Sequence, residues 1–355
     1  MKYSLSPYAI LLLSLLLFGN CQKDTNAPTP SDPSNQNPTV IESVRIGFYN
    51  MENLFDTIDD PENSQDDEFL PTSNKQWTPT RYQRKLNNMA SVISSLAFPA
   101  LMGLAEVENE KVLEDLVKNE SLSITPYAWI HEDSPDFRGI DVALLYQPSI
   151  FTPLSYEAIE VSLPASVSNF STTRDILMVK GLLGEEEIYL FINHWPSRSG
   201  GVEQTEGKRK FAATILKEKI FTIRQTQPSA QFILMGDFND EPFDESVLTI
   251  LETQTNKINI IESQLYNCSA AAALAGKGSL NFRGNWQMFD QIIVSGQLLD
   301  GNGPFQVEDF EVFEEAFLFF EHPENGPIPD RTYGGDNYFG GFSDHLPVFI
   351  DLNRI

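Results

Sequence analysis

Carboxylate, amide and imidazole side chains lie in this sequence where short apolar runs end or begin. Polar groups at strand ends can converge on one rim of a sheet. An acid and an amide two residues apart in an extended segment can deprotonate and orient a water molecule. Oxygen ligands with neutral imidazole suit Mg²⁺ or Mn²⁺ better than softer metals. The candidate residues are Asn50, Glu106, His194, Asp237, Asn239, Asp290, Asp344 and His345.

Each motif also has a plainer structural interpretation. Asn50 in FYNMENLFD can end its strand with a turn, and Glu106 in LMGLAEVENE can be the first acid of a helix. His194 in FINHWPSRSGG can be structural, and Asp237 with Asn239 in FILMGDFNDEP can form an Asx turn. Only the occurrence of these residues as a set favours a catalytic or metal-binding site over the structural interpretations. The chain has no G-x-S-x-G nucleophile motif and no His/Cys spacing typical of zinc.

Few positive side chains are placed to contact a phosphate. Arg138 and Asp141 flank a glycine in FRGID, which indicates either a structural ion pair or an arginine that reaches toward a phosphate. Arg198 lies in a locally basic stretch, residues 194–210. Arg138, Arg174 and Arg198 are therefore the candidates for substrate binding.

Apolar runs predict the elements that must position these groups. Helical spacing of apolar residues predicts a helix capped by Thr80 and a second one over Lys208–Ile223, with Ala212, Ile215, Lys219 and Ile223 on one face. Strands outnumber helices without regular β-α alternation, so mixed sheets covered by a few helices are expected. The predicted strands are Val44–Tyr49, Leu101–Leu104, Ile140–Tyr146, Ile188–Ile192, Phe232–Met235, Gln291–Val294 and Pro347–Leu352.

Length and charge limit the range of functions. A chain of 355 residues suggests two or three domains by length alone, and 41% hydrophobic residues can bury a large core. The 50 acidic residues against 24 basic ones give a net charge of −26, which repels nucleic-acid backbones and anionic membranes at long range. Nucleic acid is thus a disfavoured partner, and catalysis on phosphate would require local positive charge.

The N-terminal segment predicts export. A basic Lys2 precedes an apolar run, Ala9–Phe18, that is too short to span a bilayer, and Cys21 follows it. This is typical of a bacterial lipoprotein signal over residues 1–20 with lipid on Cys21; an ordinary secretory signal or an uncleaved anchor are the alternatives. A polar tether over 21–42 and a single domain over 43–355 would follow. The expected location is the cell envelope, with the lipid in the membrane.

The order of the motifs resembles the endonuclease/exonuclease/phosphatase superfamily, whose members include deoxyribonuclease I, abasic-site endonucleases, sphingomyelinases and inositol polyphosphate 5-phosphatases. The resemblance covers residues 44–352, and GDFND followed by FSDHLPV carries most of it. RGIDVALLY, NHWPSRSGG and YGGDNYFGG look most like exported bacterial members. The resemblance implies an α/β four-layer sandwich, in which two packed mixed β-sheets are flanked by helices, and a monomer is expected.

The resemblance also implies a metal site. Glu106 would be the principal Mg²⁺ ligand, with Mn²⁺ as an alternative ion. Asn50 would lie close to the metal and the phosphate, and Asp344 would lie beside the metal.

Catalytic roles are implied for five further residues. Asp237 would orient or deprotonate the attacking water, and Asn239 would position it. His345 would contact the scissile phosphate and would be oriented by Asp290. His194 would stabilise charge on the phosphate oxygens. Whether Asp237 or His345 takes the first proton is left open.

The leading hypothesis is a metal-dependent phosphoesterase that hydrolyses a phosphodiester or a phosphomonoester with an activated water. An exported nuclease acting on DNA or RNA is the alternative within this class. A non-catalytic surface lipoprotein on the same scaffold is the alternative outside it, although a binding protein has no chemical need for Glu106, Asp237, Asn239 and His345 together.

Overall fold

A computed structural model describes residues 42–61, 63, 65–168 and 172–355. The predicted signal segment, Cys21 and nearly all of the predicted tether lie outside these residues. Within the part of the chain that is described, no helix is both long enough and apolar enough to cross a membrane. The domain boundaries inferred from the sequence stay a prediction.

The strands, numbered in chain order, form two large sheets and three small hairpins. They span Ser43–Leu54 (β1), Leu101–Val107 (β2), Ala128–His131 (β3), Asp141–Tyr146 (β4), Phe151–Ile159 (β5), Ile176–Leu183 (β6), Glu186–His194 (β7), Gln231–Asp237 (β8), Thr253–Gln254 (β9), Leu265–Asn267 (β10), Leu280–Phe282 (β11), Asn285–Gln287 (β12), Asp290–Ser295 (β13), Phe305–Val312 (β14), Phe319–His322 (β15), Gly326–Pro329 (β16), Tyr333–Gly334 (β17), Asn337–Tyr338 (β18) and Val348–Arg354 (β19). The six-stranded sheet has the order β14-β19-β1-β2-β4-β3, and the seven-stranded sheet has the order β5-β6-β7-β8-β13-β10-β9.

Both large sheets are mixed. In the six-stranded sheet β1 is parallel to β2 and antiparallel to β19. In the seven-stranded sheet β8 is parallel to β7 and antiparallel to β13. The prediction of two mixed sheets is therefore confirmed, and each strand predicted from an apolar run overlaps a strand of the structure.

The helices cover the outer faces of the sheets. They span Pro79–Ser95 (α1), Glu110–Val117 (α2), Val202–Thr226 (α3) and Ala270–Leu274 (α4). Thr78 caps α1 by accepting a hydrogen bond from the backbone N–H of Arg81, and Pro79 follows at the first helical position. The prediction of Thr80 as the cap is wrong by two residues, because proline tolerates the first turn and so lets the helix begin earlier.

The side chains of β7 show how the sequence produces an arrangement of helices packed on both outer faces of two stacked sheets. Ile188, Leu190 and Ile192 on one face pack into the core between the two sheets. Tyr189 and Phe191 on the other face pack into a second core beneath α3. Because side chains alternate across a strand, a continuous apolar run buries both faces of the sheet.

The buried face of α3 differs from the predicted one. The helix buries Ala212, Leu216 and Ile220, whereas Ile215 and Ile223 are only half-buried. The predicted face shares Ala212 with the observed one, but at the next two turns the buried residues, Leu216 and Ile220, lie one position after the predicted Ile215 and Lys219. Spacing alone does not distinguish these two neighbouring faces, because each has the helical period.

Gly236 permits the close pairing of β7 and β8. A Cβ atom at this position would lie 2.3 Å from the backbone oxygen of Asn193, and neither strand can move without disturbing the ladder. We expect Gly236→Ala to lower the free energy of unfolding by about 1–3 kcal/mol, measured by denaturant titration.

Gly207→Ala in α3 is the matched control. Its Cβ would lie 3.6 Å from Cγ1 of Val167, an ordinary contact, and alanine favours the helix by about 0.5–1 kcal/mol. Equal stability of Gly236→Ala and wild type would contradict this account of the strand pairing.

Candidate active site

Three predicted site residues lie side by side across the seven-stranded sheet. His194 at the end of β7 is in register with Asp237 at the end of β8, and Asp237 is in register with Asp290 at the start of β13. All three are buried. Because parallel and antiparallel neighbours meet at this one rim, residues far apart in the chain form a single row.

The six-stranded sheet brings a second set of residues to face this row. Asn50, near the end of β1, donates a hydrogen bond from Nδ2 to Oδ2 of Asp237 at 3.2 Å. Oε1 of Glu106 on β2 lies 3.9 Å from Nε2 of His194. The pairing of Phe48 with Val348 in β19 places the preceding FSDH segment beside Asn50, and Ser343 donates a hydrogen bond to the Asn50 carbonyl.

Left-handed backbone conformations aim amide groups at the carboxylates. Asn53 and Asn239 have φ of 56° and 50°, and Glu106 itself has φ of 60°. The N–H of Asn53 donates to Oε2 of Glu106 at 2.9 Å, and the N–H of Asn239 donates to Oδ1 of Asp237 at 2.9 Å. Such conformations are unfavourable for non-glycine residues and concentrate at functional sites. Here they fix the orientation of two acids.

Asp237 lies at the centre of the site. Besides its bonds to Asn50 and Asn239, its Oδ2 lies 3.6 Å from Nε2 of His194 and 3.9 Å from Nε2 of His345. Burial raises the pKa of Asp237 to about 7, although the charge on His345 acts in the opposite direction. A carboxylate with such a pKa is suited to proton transfer near neutral pH.

The two histidines have opposite electrostatic environments. Burial, together with the charge on Arg174, lowers the pKa of His194 well below its ordinary value. Burial also acts to lower the pKa of His345, but the Asp290 carboxylate, 2.6 Å from Nδ1, outweighs it and raises that pKa well above the ordinary value. These environments therefore favour the neutral form of the His194 imidazole and the charged form of the His345 imidazole.

The donor set fits a hard divalent cation. Ligand atoms of Asp237, Asp290 and His345 lie within 4.8 Å of one another, and because a protonated imidazole cannot bind a metal, the two carboxylates are the donors of this group. The carboxylate of Glu106 approaches the same centre and supplies further oxygen, whereas Asn50 turns its Nδ2 to Asp237 and its Oδ1 accepts from the N–H of Glu52. Oxygen-rich sets of this kind suit Mg²⁺ or Mn²⁺. The ligand roles of Glu106 and Asn50 stay predictions.

Asp344 lies to one side of this centre. Its Oδ2 accepts a hydrogen bond from Nη2 of Arg331 at 2.9 Å, and it is not part of the donor group formed by Asp237, Asp290 and His345. Its predicted place beside the metal stays a prediction, and in the structure its partner is a guanidinium.

Two buried ionisable groups, Glu52 and Lys85, lie near enough to Asp344 to feel its charge, and neither has a role in the sequence-based prediction. Glu52 accepts hydrogen bonds from the N–H groups of Thr332 and Tyr333, and burial raises its pKa to about 7, helped by the charge on Asp344. Burial lowers the pKa of Lys85 to about 8. Glu52 lies two residues after Asn50 in the first motif, but the positive charge of Lys85 that acts on it comes from α1, which is distant in sequence.

Two of the candidate arginines, Arg174 and Arg198, use their guanidinium groups in hydrogen bonds to other protein groups. Arg174 is buried and donates to Asp136 and to the carbonyls of His194 and Trp195. Arg198 donates to the carbonyl of Asn239 and to Asp240. Both fix the backbone that carries site residues, and their predicted contact with substrate stays a prediction.

The alternative of a structural Arg138–Asp141 pair is wrong. Asp141 contacts His131 at 3.1 Å and accepts from Ser134, whereas Nε of Arg138 lies 3.7 Å from Asp136. Asp141 is the first residue of β4 and is buried there. Arg138 therefore lies beside Asp136, two positions earlier in the chain. The Arg138 side chain retains 35% exposure and is the most open of the three arginines.

Two packed mixed sheets with carboxylates and imidazoles at their facing rims define a class of hydrolase. A family model described as "Endonuclease/Exonuclease/phosphatase family" matches residues 45–354. The chain therefore belongs to the endonuclease/exonuclease/phosphatase family, whose members are phosphoesterases and nucleases. No curated protein matches the chain significantly.

Solved structures share the fold at low sequence identity. An endonuclease/exonuclease/phosphatase family protein from Bacteroides thetaiotaomicron is 17% identical, with a TM-score of 0.56, over 88% of this chain and 98% of that one. A mannosyl-6-phosphatase from the same species is 18% identical, with a TM-score of 0.53, over 87% and 99%. A humanized D. rerio TDP2 is 13% identical, with a TM-score of 0.53, over 88% and 99%. These similarities establish the fold of the chain.

Proposed function

We propose that this chain is a metal-dependent phosphoesterase. The observation that carries the proposal is the position of Asp237, whose buried carboxylate is contacted by Asn50 from the facing sheet and lies 3.6 Å and 3.9 Å from the imidazoles of His194 and His345. Phosphate hydrolysis requires a base for water, positive charge near the phosphate and a fixed geometry, and this arrangement supplies all three.

Each residue contributes a defined part of the reaction. Glu106, Asn50 and Asp237 would hold Mg²⁺ or Mn²⁺, which when bound neutralises phosphate charge and acidifies water. Asp237 accepts the proton of the attacking water, and the N–H of Asn239 fixes the orientation of that carboxylate. Protonated His345, paired with Asp290, places positive charge on the scissile phosphate. Neutral His194 donates a hydrogen bond to a phosphate oxygen without repelling the other cations.

Charge favours small phosphate esters as substrates. The net charge of −26 repels a polyanion, and Arg174 and Arg198 are already bound to protein groups. A mannosyl-6-phosphatase among the structural neighbours agrees with a phosphomonoester substrate. A nuclease is the second candidate, because a D. rerio TDP2 structure that contains a single-stranded DNA product shares the fold with a TM-score of 0.52.

Removal of divalent metal should abolish activity. We expect EDTA to reduce hydrolysis of p-nitrophenyl phosphate or bis-(p-nitrophenyl) phosphate by about 100-fold or more, and added Mg²⁺ to restore it, because the carboxylates alone leave the phosphate charge uncompensated. Plasmid DNA assayed in parallel separates a nuclease from a small-ester phosphoesterase. Turnover that is indifferent to EDTA would contradict the metal dependence, and no turnover on any substrate would favour the non-catalytic binding protein.

We also propose that the protein is exported and held at the cell envelope by lipid on Cys21, as a monomer. The support is the N-terminal sequence pattern of a basic residue, a short apolar run and a cysteine. A lipid anchor would bring an acidic enzyme to a membrane without a basic patch. Fractionation of cells that produce wild type or Cys21→Ala tests the anchor.

A further inference from the structure

A pocket of about 690 Å³ opens beside the candidate active site. Its walls come from the turn of the β11-β12 hairpin, from the β15-β16 hairpin and from the β17-β18 hairpin. None of the residues assigned to catalysis or metal binding lines it. We name it the hairpin pocket, and its argument rests on Asn281, Phe282, Arg283, Phe320, His322 and Phe339.

The hairpin pocket adjoins the segment that carries His345. Leu280 forms an isolated antiparallel β-bridge with His345, and the next residue along the chain, Asn281, lines the pocket. On the other side Arg331 lines the pocket and donates to Asp344, the neighbour of His345 in the chain. The chain neighbours of His345 are thus linked to the pocket in two places.

The pocket exposes large aromatic surfaces. Phe282, Phe320 and Phe339 are 57%, 51% and 57% exposed, and each comes from a different hairpin. Several large rings left open around one cavity are typical of a site for a ligand with an apolar face. The rings surround the pocket from several sides rather than forming one flat surface.

Polar groups lie between the rings. Nδ2 of Asn281 is buried and has no hydrogen-bond partner among the described residues, while its Oδ1 accepts from the N–H of Gly284. Nδ1 of His322 accepts from two backbone N–H groups, which leaves Nε2 to carry the hydrogen. Arg283 adds a third donor next to Phe282. Nε2 of His322 and the Arg283 guanidinium are therefore the donors offered to a ligand in the pocket, beside the Asn281 side chain.

We propose that the hairpin pocket binds the sugar ring of a phosphorylated sugar and so selects the leaving group of the reaction. A sugar offers apolar C–H faces to aromatic rings, and its hydroxyls point outward around the ring as acceptors for donors that arrive from several directions. The acidic charge of the protein disfavours a longer nucleic acid. This proposal rests on the proposed phosphoesterase function for its catalytic part only.

The catalytic test compares substrates with and without a ring. We expect Phe339→Ala and Arg283→Ala to lower kcat/KM for glucose 6-phosphate at least tenfold and to leave kcat/KM for glycerol 3-phosphate within twofold. Phe221→Ala is the matched control, because this phenylalanine is 64% exposed on α3, outside the pocket. Equal losses on both substrates, or no loss on glucose 6-phosphate, would overturn the proposal. A loss confined to thymidine 5′-monophosphate would assign the pocket to a nucleoside instead and would also overturn it.

A binding measurement separates this proposal from the proposed function. Saturation-transfer NMR with unphosphorylated methyl glucoside requires no catalysis, and we expect a signal with wild type that is lost in Phe339→Ala and retained in Phe221→Ala. If the glycoside binds but no phosphate ester is hydrolysed, the phosphoesterase proposal fails while the sugar pocket stands. If esters are hydrolysed but wild type gives no glycoside signal, the sugar pocket fails while the phosphoesterase proposal stands.

Discussion

Replacing Asp237 with asparagine is expected to lower kcat by about 1,000-fold or more. Asn keeps the shape of the side chain, so it can still accept from the N–H of Asn239, but it can neither take a proton from water nor contribute charge to a metal. General-base catalysis alone accounts for about 100- to 10,000-fold, and lost metal affinity adds to it. Single-turnover kinetics at saturating Mg²⁺ would measure the chemical step separately from metal binding.

The same substitution should not destabilise the fold at alkaline pH. Because the folded pKa of Asp237 is raised to about 7, ionising it costs folding free energy as pH rises from the unfolded value near 4 toward 7. Asp237→Asn removes that cost, so we expect its free energy of unfolding at pH 8 to equal or exceed that of wild type. Asp309→Asn on the exposed side of β14 is the control, with unchanged activity. Activity of Asp237→Asn within tenfold of wild type would contradict the role of this carboxylate.

The sequence allowed the sheets and the central row to be predicted because their signals are local. Apolar runs mark buried strands, and a polar residue within one or two positions of either end of such a run lies at a sheet rim. His194, Asp237 and Asp290 satisfy both conditions, so neighbouring strands bring them together. The family resemblance added that two mixed sheets pack against each other, and that information is not present in any single motif.

What could not be predicted depends on long-range contacts. The partner of Arg138 depends on whether Asp141 faces in or out, and its actual partner, Asp136, precedes the glycine turn. Lys85 is a charged residue in an amphipathic helix, and only the docking of α1 against the Thr332 hydroxyl and the Phe342 carbonyl makes it a buried group. The hairpin pocket is formed by three short hairpins whose individual sequences carry no binding signal.

Replacing Asp290 with asparagine is expected to lower kcat by about 100- to 1,000-fold through its effect on His345. The carboxylate contacts Nδ1 at 2.6 Å and holds the imidazole in place as a cation. Without it, burial dominates and the pKa of His345 falls below its raised value. Asp290 is thus a positioning residue. An asparagine–histidine pair keeps the shape of the contact but not the charge, as in catalytic triads where such a substitution costs several orders of magnitude.

The pH dependence distinguishes this role from simple structural support. In wild type, His345 stays protonated through neutrality, so activity that requires the cation is lost only as pH rises through its raised pKa. In Asp290→Asn the alkaline limb of the kcat/KM profile should move to lower pH, and the NMR titration of His345 in metal-free protein should move with it. The contact between His345 and Asp290 also stabilises the fold. This stabilisation is fully present below the unfolded pKa of histidine, near 6.5, and is lost as pH rises through the raised pKa of His345 in the folded protein. Asp351→Asn is the matched control, because that carboxylate pairs with Arg45 in the six-stranded sheet. An unchanged alkaline limb in Asp290→Asn would show that the carboxylate does not set the charge of His345.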